Sequence, residues 1–144
     1  MQLREILRIK GDRLITIAPE DMVSDGVSVM SQKDIGSLVV ISQCKLAGML
    51  TFREVLQALP ENKGSIQGVR VDAIMVKNPR TIAPSVEVDE LRSVMLEHHI
   101  RYMPVMEGDK LIGVASFHDV ARAVLEEQAF ENRMLKGYIK DSPA

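Results

Sequence analysis

The chain has 144 residues, of which 46% are hydrophobic, 26% charged and 3% aromatic, and its formal net charge is −2. This balance is typical of a folded globular domain, excludes a disordered or collagen-like chain, and allows a core of Val, Ile, Leu and Met. A slightly negative chain with so few aromatic residues lacks the basic surface and the stacking residues of a nucleic-acid-binding protein.

The first half of the chain predicts one compact set of elements. Thr16-Ile-Ala-Pro begins with a short strand, and the apolar spacing then indicates a helix over Val23–Lys33. A β-hairpin from Leu38 to Leu50 and a helix over Thr51–Leu59 follow. The Gly, Asn and Lys residues that come next predict a linker.

The second half predicts the same order of elements. Val88, Leu91 and Met95 lie three and four residues apart, which is typical of an amphipathic helix. Two apolar runs, 102–106 and 111–115, flank a hairpin turn at Gly108-Asp109. Ser116 opens a further helix that carries Val120, Val124 and Leu125. A last helix is predicted over Glu127–Ile139, with an apolar side formed by Ala129, Phe130, Met134, Leu135, Tyr138 and Ile139.

The two halves are copies of one unit. A shift of 65 residues places Thr16-Ile-Ala-Pro on Thr81-Ile-Ala-Pro, and 16 of the 44 positions from Thr16 to Leu59 are then identical. The period is too long for a solenoid, so the chain is a tandem duplication of a strand–helix–strand–strand–helix unit. We expect a mixed α/β (α+β) fold with a first repeat over 1–60, a linker over 61–68, a second repeat over 69–126 and a C-terminal helix and tail over 127–144.

This duplicated unit resembles a CBS-domain pair, the regulatory module named after cystathionine β-synthase, in the stand-alone form of bacterial signal-transduction proteins. The resemblance rests on the two Thr-Ile-Ala-Pro entries, on Ile100-Arg-Tyr-Met-Pro-Val and on Gly113-Val-Ala-Ser-Phe-His-Asp119. It implies two repeats packed about a pseudo-twofold axis with two clefts between them. Family members bind adenosine-containing ligands there, such as AMP, ATP, NAD or S-adenosylmethionine, and two modules commonly associate, so we expect a homodimer.

The residues of the second copy suit such a ligand chemically. A carboxylate at Asp119, in the first turn of a helix, can accept both hydroxyls of a ribose diol. The Ser116 hydroxyl and the helix N-terminus suit a phosphate, with Arg101 and His118 adding positive charge. The predicted nucleotide site comprises Thr81, Ile82, Ile100, Arg101, Tyr102, Met103, Pro104, Ser116, His118 and Asp119, with Ile35, Gly36 and Ser37 against the adenine.

A second cleft is predicted from the first copy, with Thr16, Ile17, Thr51, Arg53 and Glu54 as its residues. Here Glu54 stands where the family pattern has Asp, and its longer arm displaces the carboxylate. Ser-x-x-Asp and Thr-x-x-Glu at helix starts are also capping boxes, which need no ligand. The ligand interpretation is favoured at Asp119 and the capping interpretation at Glu54.

Two classes of function remain open, a nucleotide sensor and a ligand-free scaffold that acts through dimerisation. Catalysis is not expected, because no nucleophile lies beside a base and no Gly-rich phosphate motif is present. No metal site is expected either, since His98 and His99 are adjacent and point about 100° apart on a helix. The partners expected are a nucleotide, a second copy and an unidentified protein, but neither nucleic acid nor a membrane.

Localisation follows from what the sequence lacks. Cys44 is the only cysteine, which excludes an internal disulfide and suits a reducing compartment. The N-terminal segment is charged from Arg4 onward and has no signal-peptide core, and no apolar run is long enough to span a membrane. We therefore expect a cytoplasmic protein.

Overall fold

Both halves of the chain fold in the predicted order of elements, in a computed structural model that describes residues 1–11 and 14–141. The first half contains α1 (Leu3–Lys10), β1 (Thr16–Ile17), α2 (Val23–Lys33), β2 (Ser37–Ser42), β3 (Lys45–Thr51) and α3 (Phe52–Glu61). The second half contains α4 (Val71–Ile74), β4 (Val76–Lys77), α5 (Val88–His98), β5 (Tyr102–Glu107), β6 (Lys110–Ser116) and α6 (Phe117–Asp141). The mixed α/β class with two repeats is confirmed.

The strands form one small sheet in each repeat. In the first sheet, β1 runs parallel to β2, β2 pairs antiparallel with β3, and β4 joins the outer edge of β3. In the second, β5 and β6 form an antiparallel hairpin, and Ile82 makes only a single parallel bridge to Val105. The entry strand predicted at Thr81-Ile82 is therefore shorter than its counterpart in the first repeat.

The two hairpins share their local geometry. The first turns at Gln43 and Cys44, whose φ angles of 51° and 62° are those that a two-residue hairpin turn needs. The second turns at Gly108, with φ 61°. Both hairpins shift register after the corresponding Val, Val40 and Val105. The duplication therefore preserves turn position and bulge as well as sequence.

Helices α2 and α5 bury one stripe each and end in the same way. Val88, Leu91 and Met95 of α5 are almost completely buried, which confirms the predicted amphipathic spacing. Both helices stop at a residue in the left-handed conformation, Asp34 with φ 52° and His99 with φ 55°. This cap turns the chain sharply toward β2 and β5, so that each helix end lies beside the start of a strand.

The last helix is longer than the sequence spacing predicted. The prediction of a separate helix over Glu127–Ile139 is wrong, because α6 runs without a break from Phe117 to Asp141. The stretch from Phe117 to Lys136 contains neither Gly nor Pro and is rich in Ala, Leu and Glu, so nothing in it terminates a helix. Among the described residues, no helix is long and apolar enough to cross a membrane.

The two cores exchange their N-terminal helices. Leu3 and Ile6 of α1 lie in the core of the second repeat, with Leu91 and Met103. Conversely, Val71 of α4 lies in the core of the first repeat. Each repeat in space therefore contains the first helix of the other repeat in sequence, and the boundary between 1–60 and 69–126 is not a boundary in packing.

Matching hydrogen bonds fix this exchange. The Leu3 amide donates to Val86 O at 2.9 Å, and the Val71 amide donates to Asp21 O at 2.8 Å. Asp21 and Val86 occupy the same position in the two copies, two residues before α2 and α5. The two contacts are thus one contact made twice, as the pseudo-twofold relation requires.

Candidate functional site

A cleft of about 1280 Å³ lies where the two repeats meet. Its walls are the first turns of α3 and α6, the corner between α5 and β5, and the segment that follows β4. Because both repeats contribute, the cleft exists only once the two halves have packed together.

Backbone hydrogen bonds hold the two helix starts in place. The Phe52 amide donates to Gly36 O at 3.1 Å, and the Phe117 amide donates to Arg101 O at 2.8 Å. Gly36 and Arg101 are repeat counterparts, each lying just before a strand. Each helix N-terminus is thereby tied to the beginning of its own hairpin, and both helix starts line the cleft.

Aromatic side chains of both repeats form one wall. The rings of Phe52 and Tyr102 meet edge to face, with centroids 6.3 Å apart and planes at 87°. The Arg101 guanidinium lies 5.4 Å from the centre of the Phe52 ring. Burial raises the pKa of the Tyr102 hydroxyl, and the nearby Asp119 carboxylate acts in the same direction while Arg101 opposes it. The phenol is therefore neutral at physiological pH.

Gly36 has a different neighbour from the one expected. A Cβ atom at this position would overlap the hydroxyl of Tyr102 and lie 3.1 Å from the Phe52 ring. The glycine therefore makes room for Tyr102, whereas the sequence interpretation had an adenine base approaching the main chain there.

The charge of the lining is strongly one-sided. Glu54 is the only acidic residue among the residues that line the cleft. The basic residues there are Arg53, Arg80, Arg101, His98, His99 and His118, which include all three histidines of the chain. The cleft therefore carries positive charge although the whole chain is slightly negative.

Thr51 and Glu54 form a capping box at the start of α3. Glu54 Oε1 accepts hydrogen bonds from the Thr51 amide and the Thr51 hydroxyl, both at 2.8 Å. The Thr51 hydroxyl in turn accepts from the Arg53 amide at 3.2 Å. This geometry is that of the capping interpretation favoured for Glu54.

Asp119 has another partner. Ser116 Oγ accepts from the Asp119 amide at 3.0 Å, while the buried Asp119 Oδ2 lies 2.8 Å from Lys10 Nζ on the exchanged helix α1. Burial acts to raise the pKa of the Asp119 carboxyl, but the hydrogen bonds from Lys10 and Ser116 and the charges of Lys10 and His118 outweigh it and lower the pKa. Asp119 is therefore an ion-paired carboxylate, one side of which is covered by Lys10.

Eight of the predicted site residues line this cleft, and ten do not. Residues of both predicted clefts line it together: Thr51, Arg53, Glu54, Ile100, Arg101, Tyr102, Ser116 and His118. Outside its lining lie Thr16, Ile17, Ile35, Gly36, Ser37, Thr81, Ile82, Met103, Pro104 and Asp119. The two predicted groups thus share one cleft in part, and the second cleft stays a prediction.

Burial explains part of this difference. Met103 is completely buried and belongs to the core of the second repeat, and Ile17 belongs to the core of the first. Their side chains therefore pack in the two cores and do not line the cleft. Ile35 lines a smaller hollow of about 270 Å³ beside Phe52 instead.

Several lining residues escaped the sequence analysis, among them Val76, Arg80, His98 and His99. Their repeat counterparts, Gly11, Ile15, Lys33 and Asp34, differ in chemistry, so the internal alignment gives no signal for them. Within the described residues, no group of three or more His, Cys, Asp or Glu side chains is placed to hold a metal ion.

Comparison with known proteins identifies the repeat. The profile of the CBS domain matches residues 4–61 and again 71–126. The mitochondrial CBS domain-containing protein CBSX3 of Arabidopsis thaliana is 33% identical over 126 residues, which are 84% of this chain and 61% of that protein. The chain thus spans about three fifths of the length of this relative.

Solved structures of CBS-domain proteins have the same fold as this chain. A protein with CBS domains from Burkholderia ambifaria is 32% identical, covers 89% of this chain and 96% of its own, and superposes with a TM-score of 0.83. CBSX2 of Arabidopsis thaliana, in complex with AMP, covers 88% of this chain and 98% of its own with a TM-score of 0.73. At 23% identity, the latter is evidence for the fold alone.

Proposed function

The chain belongs to the CBS-domain family as a tandem pair of repeats, and on that premise we propose that it is a regulatory module that senses an adenosine-containing nucleotide in the cleft between them. The observation that carries this proposal is the composition of the cleft, where the aromatic rings of Phe52 and Tyr102 lie beside guanidinium groups. Aromatic faces bind nucleobases, and guanidinium groups bind phosphates. One cleft therefore offers both kinds of contact that a nucleotide needs.

The parts of the nucleotide are assigned as follows. The base lies against the apolar and aromatic wall formed by Phe52, Ile100 and Tyr102. We assign the ribose diol to Asp119, which lies outside the cleft lining but directly follows the lining residue His118, and whose carboxylate is shared with Lys10. Ser116, Arg101 and His118 are assigned to the phosphate. Burial acts to raise the pKa of Asp119, but Lys10 and Ser116 lower it, and the ionised carboxylate can accept two hydroxyl donors.

AMP, ATP and NAD(H) are the candidate ligands. The AMP complex of CBSX2, which shares the fold, supports an adenosine moiety. A regulatory role rather than a catalytic one is proposed because the family match, 4–61 and 71–126, spans most of the chain with the CBS repeat itself. An unidentified protein partner would receive the bound state.

We further propose that two copies of the chain associate through an exposed apolar stripe of α6. The same stripe favours the second candidate function, a scaffold that binds no ligand. Beyond the globular part, Phe130 and Met134 lie seven and eleven residues after the buried Ala123, on its side of α6, yet both are more than half exposed. The side chains of Tyr138 and Ile139, also predicted on this stripe, lie outside the described ones.

The charges beside this stripe favour a second copy of α6 as its partner. The acidic residues come first along this part of α6, at Glu126, Glu127 and Glu131. The basic residues come after them, at Arg133 and Lys136. An antiparallel second copy of α6 would place the acidic half of one helix against the basic half of the other. Self-association therefore pairs opposite charges along the apolar contact.

Titration calorimetry tests the sensing function. We expect adenosine-containing nucleotides to bind at micromolar concentration and to raise the melting temperature by mass action. Phe52→Ala should weaken this binding about ten- to a hundredfold, since a stacked base contributes about 1–3 kcal/mol. Phe130→Ala removes the same ring outside the cleft and should leave the affinity unchanged.

Flat titrations and unshifted melting temperatures with AMP, ATP, NAD(H) and S-adenosylmethionine at millimolar concentration would remove the sensing function. The scaffold function would then stand alone. Circular dichroism of both variants checks that the fold is intact.

A further inference from the structure

Lys10 already occupies the carboxylate that the proposed function assigns to the ribose. Its ammonium group lies 2.8 Å from Asp119 Oδ2, and this oxygen atom is buried. The same group donates a hydrogen bond to Val114 O at 3.3 Å. The side chain at the end of α1 is therefore held at two points, one on α6 and one on β6.

The first repeat has no such pair at the equivalent place. A shift of 65 residues places Lys10 on Met75 and Asp119 on Glu54. Met75 carries no charge, and Glu54 accepts its hydrogen bonds from Thr51 at the start of its own helix. The lysine and the aspartate thus occur together in one copy and are both replaced in the other, as expected for two residues that act as a pair.

The last turn of α1 depends on few contacts with the second repeat. A Cβ atom at Gly113 of β6 would lie 3.1 Å from Leu7 Cδ2, so the helix approaches the strand closely at this point. Between Leu7 and Lys10, the side chain of Ile9 is 84% exposed. The Gly11 amide closes the turn by donating to Leu7 O at 3.1 Å. The two polar contacts of Lys10 therefore hold the part of α1 that follows Leu7.

A ribose diol and the Lys10 ammonium compete for the same carboxylate. Two neighbouring hydroxyl groups can bind a carboxylate with one hydrogen bond to each oxygen. One of the two oxygens of Asp119 is buried beneath Lys10, so the ammonium group must move before the diol can bind in this way. The two side chains of the pair are 41% and 21% exposed, and an ion pair of this kind is weak enough for a ligand to replace.

We propose that Lys10 is a displaceable competitor for Asp119, and that a ligand which binds this carboxylate through a diol releases the last turn of α1. This inference rests on the proposed function, in which Asp119 is the diol acceptor. It adds a residue that sets the affinity and an element that changes on binding. The first turns of α1 stay in place, because Leu3 and Ile6 are buried in the second core.

Calorimetry with adenosine tests the competition, because adenosine has the diol but no phosphate. We expect Lys10→Met to bind adenosine about two- to fivefold more tightly than the parent protein, which is the range that a partly exposed ion pair contributes. The gain should be smaller for 2′-deoxyadenosine, which lacks one hydroxyl of the diol. Lys10→Arg keeps the positive charge and should bind as the parent does. The matched control Lys110→Met removes an exposed lysine at the start of β6 and should leave the affinity unchanged.

Amide hydrogen exchange tests the release of α1. In the parent protein, saturating adenosine should speed exchange of the Gly11 amide, which closes the last turn. In Lys10→Met, this amide should exchange fast already and should not respond to adenosine. The Leu3 amide, bound to Val86 O at 2.9 Å, reports on the fixed end of the helix and should stay protected in both proteins.

The outcomes separate this inference from the proposed function. Equal or weaker binding of adenosine by Lys10→Met overturns the competition and leaves the nucleotide sensor in place. Unchanged or slower exchange at Gly11 in the parent protein, with adenosine bound, overturns the release of α1. If neither adenosine nor AMP binds the parent or Lys10→Met, the proposed function fails and this inference fails with it.

Discussion

At the scale of single residues, Glu54 and Asp119 show how one methylene group changes a partner. Both carboxylates lie in the first turn of a helix, three residues after a hydroxyl side chain. The longer Glu54 folds back to its own N-cap at 2.8 Å, whereas the shorter Asp119 pairs with Lys10 from another helix. Glu54 therefore stabilises its own helix, α3, whereas Asp119 links α6 to α1.

The Lys10–Asp119 pair predicts a pH-dependent stability. Because the pKa of Asp119 is lowered in the folded state, its ionised form stabilises the fold above the unfolded pKa and this contribution is lost as the pH falls through the folded pKa. At pH 7, Asp119→Asn should cost about 1 kcal/mol, as for a partly exposed ion pair. Urea titration from pH 7 down to pH 3 measures the difference from the parent.

The difference should shrink as the pH falls toward the ordinary carboxyl value of 3.8 and vanish below the lowered one. Lys10→Met is the matched variant from the other side of the pair. In a double-mutant cycle, the two changes should be non-additive at pH 7 and additive in acid. A penalty for Asp119→Asn that is the same at every pH would show that the ion pair does not contribute.

At the scale of whole elements, α6 does two different things along its length. Its first part buries Val120, Ala123 and Val124 in the second core, while its later turns leave Phe130 and Met134 exposed. A free helix end gains nothing from such residues, and large exposed apolar stripes usually mark an interface. The element thus continues from core to proposed contact without changing face.

Ending the chain at Glu126 should therefore abolish the homodimer and keep the fold. We expect the double variant Phe130→Ser/Met134→Ser to have the same effect in sedimentation equilibrium at micromolar concentration. Leu125 is also exposed but lies five residues before Phe130, about 140° around the helix. Leu125→Ser should consequently leave the dimer intact. A monomeric parent protein under these conditions would contradict the proposed association.

At the scale of the molecule, the exchange of α1 and α4 makes the two repeats depend on each other. Leu3 is completely buried, but its core belongs to the repeat at the opposite end of the chain. Contacts of this kind join residues that are more than 80 positions apart, which makes folding of either repeat alone unfavourable. The cleft between the repeats benefits, because its two walls are held by the same exchange.

Leu3→Ala should destabilise the whole protein by about 2–5 kcal/mol, the usual cost of removing a buried leucine side chain. Hydrogen exchange should show the loss of protection first in α6 and β6, against which α1 packs, and not in α2. Ile9→Ala on the same helix is the control, since Ile9 is 84% exposed. Loss of protection confined to α1 would mean that the exchange does not support the second core.

The sequence by itself determined the repeat, the order of elements, both hairpins and the helix spacing. Each of these depends on residues close in the chain, such as Val88 with Leu91 or Thr51 with Glu54, whose side chains meet whenever the local backbone forms. The packing of the two repeats against each other came from the resemblance to a CBS-domain pair. The break predicted before Glu127 was wrong, because a stripe of apolar residues shows a face but not where one helix stops and another begins.

Only the tertiary structure decided which distant residues meet. Lys10 pairs with Asp119, Gly36 receives Tyr102, and Arg80 joins His99 in the lining of one cleft. None of these pairs occupies equivalent positions in the two copies, so the 65-residue match gave no signal for them. Their proximity follows from how two folded surfaces and an exchanged helix pack together, and that geometry is set by the sum of many contacts across the core, which no spacing within one segment records.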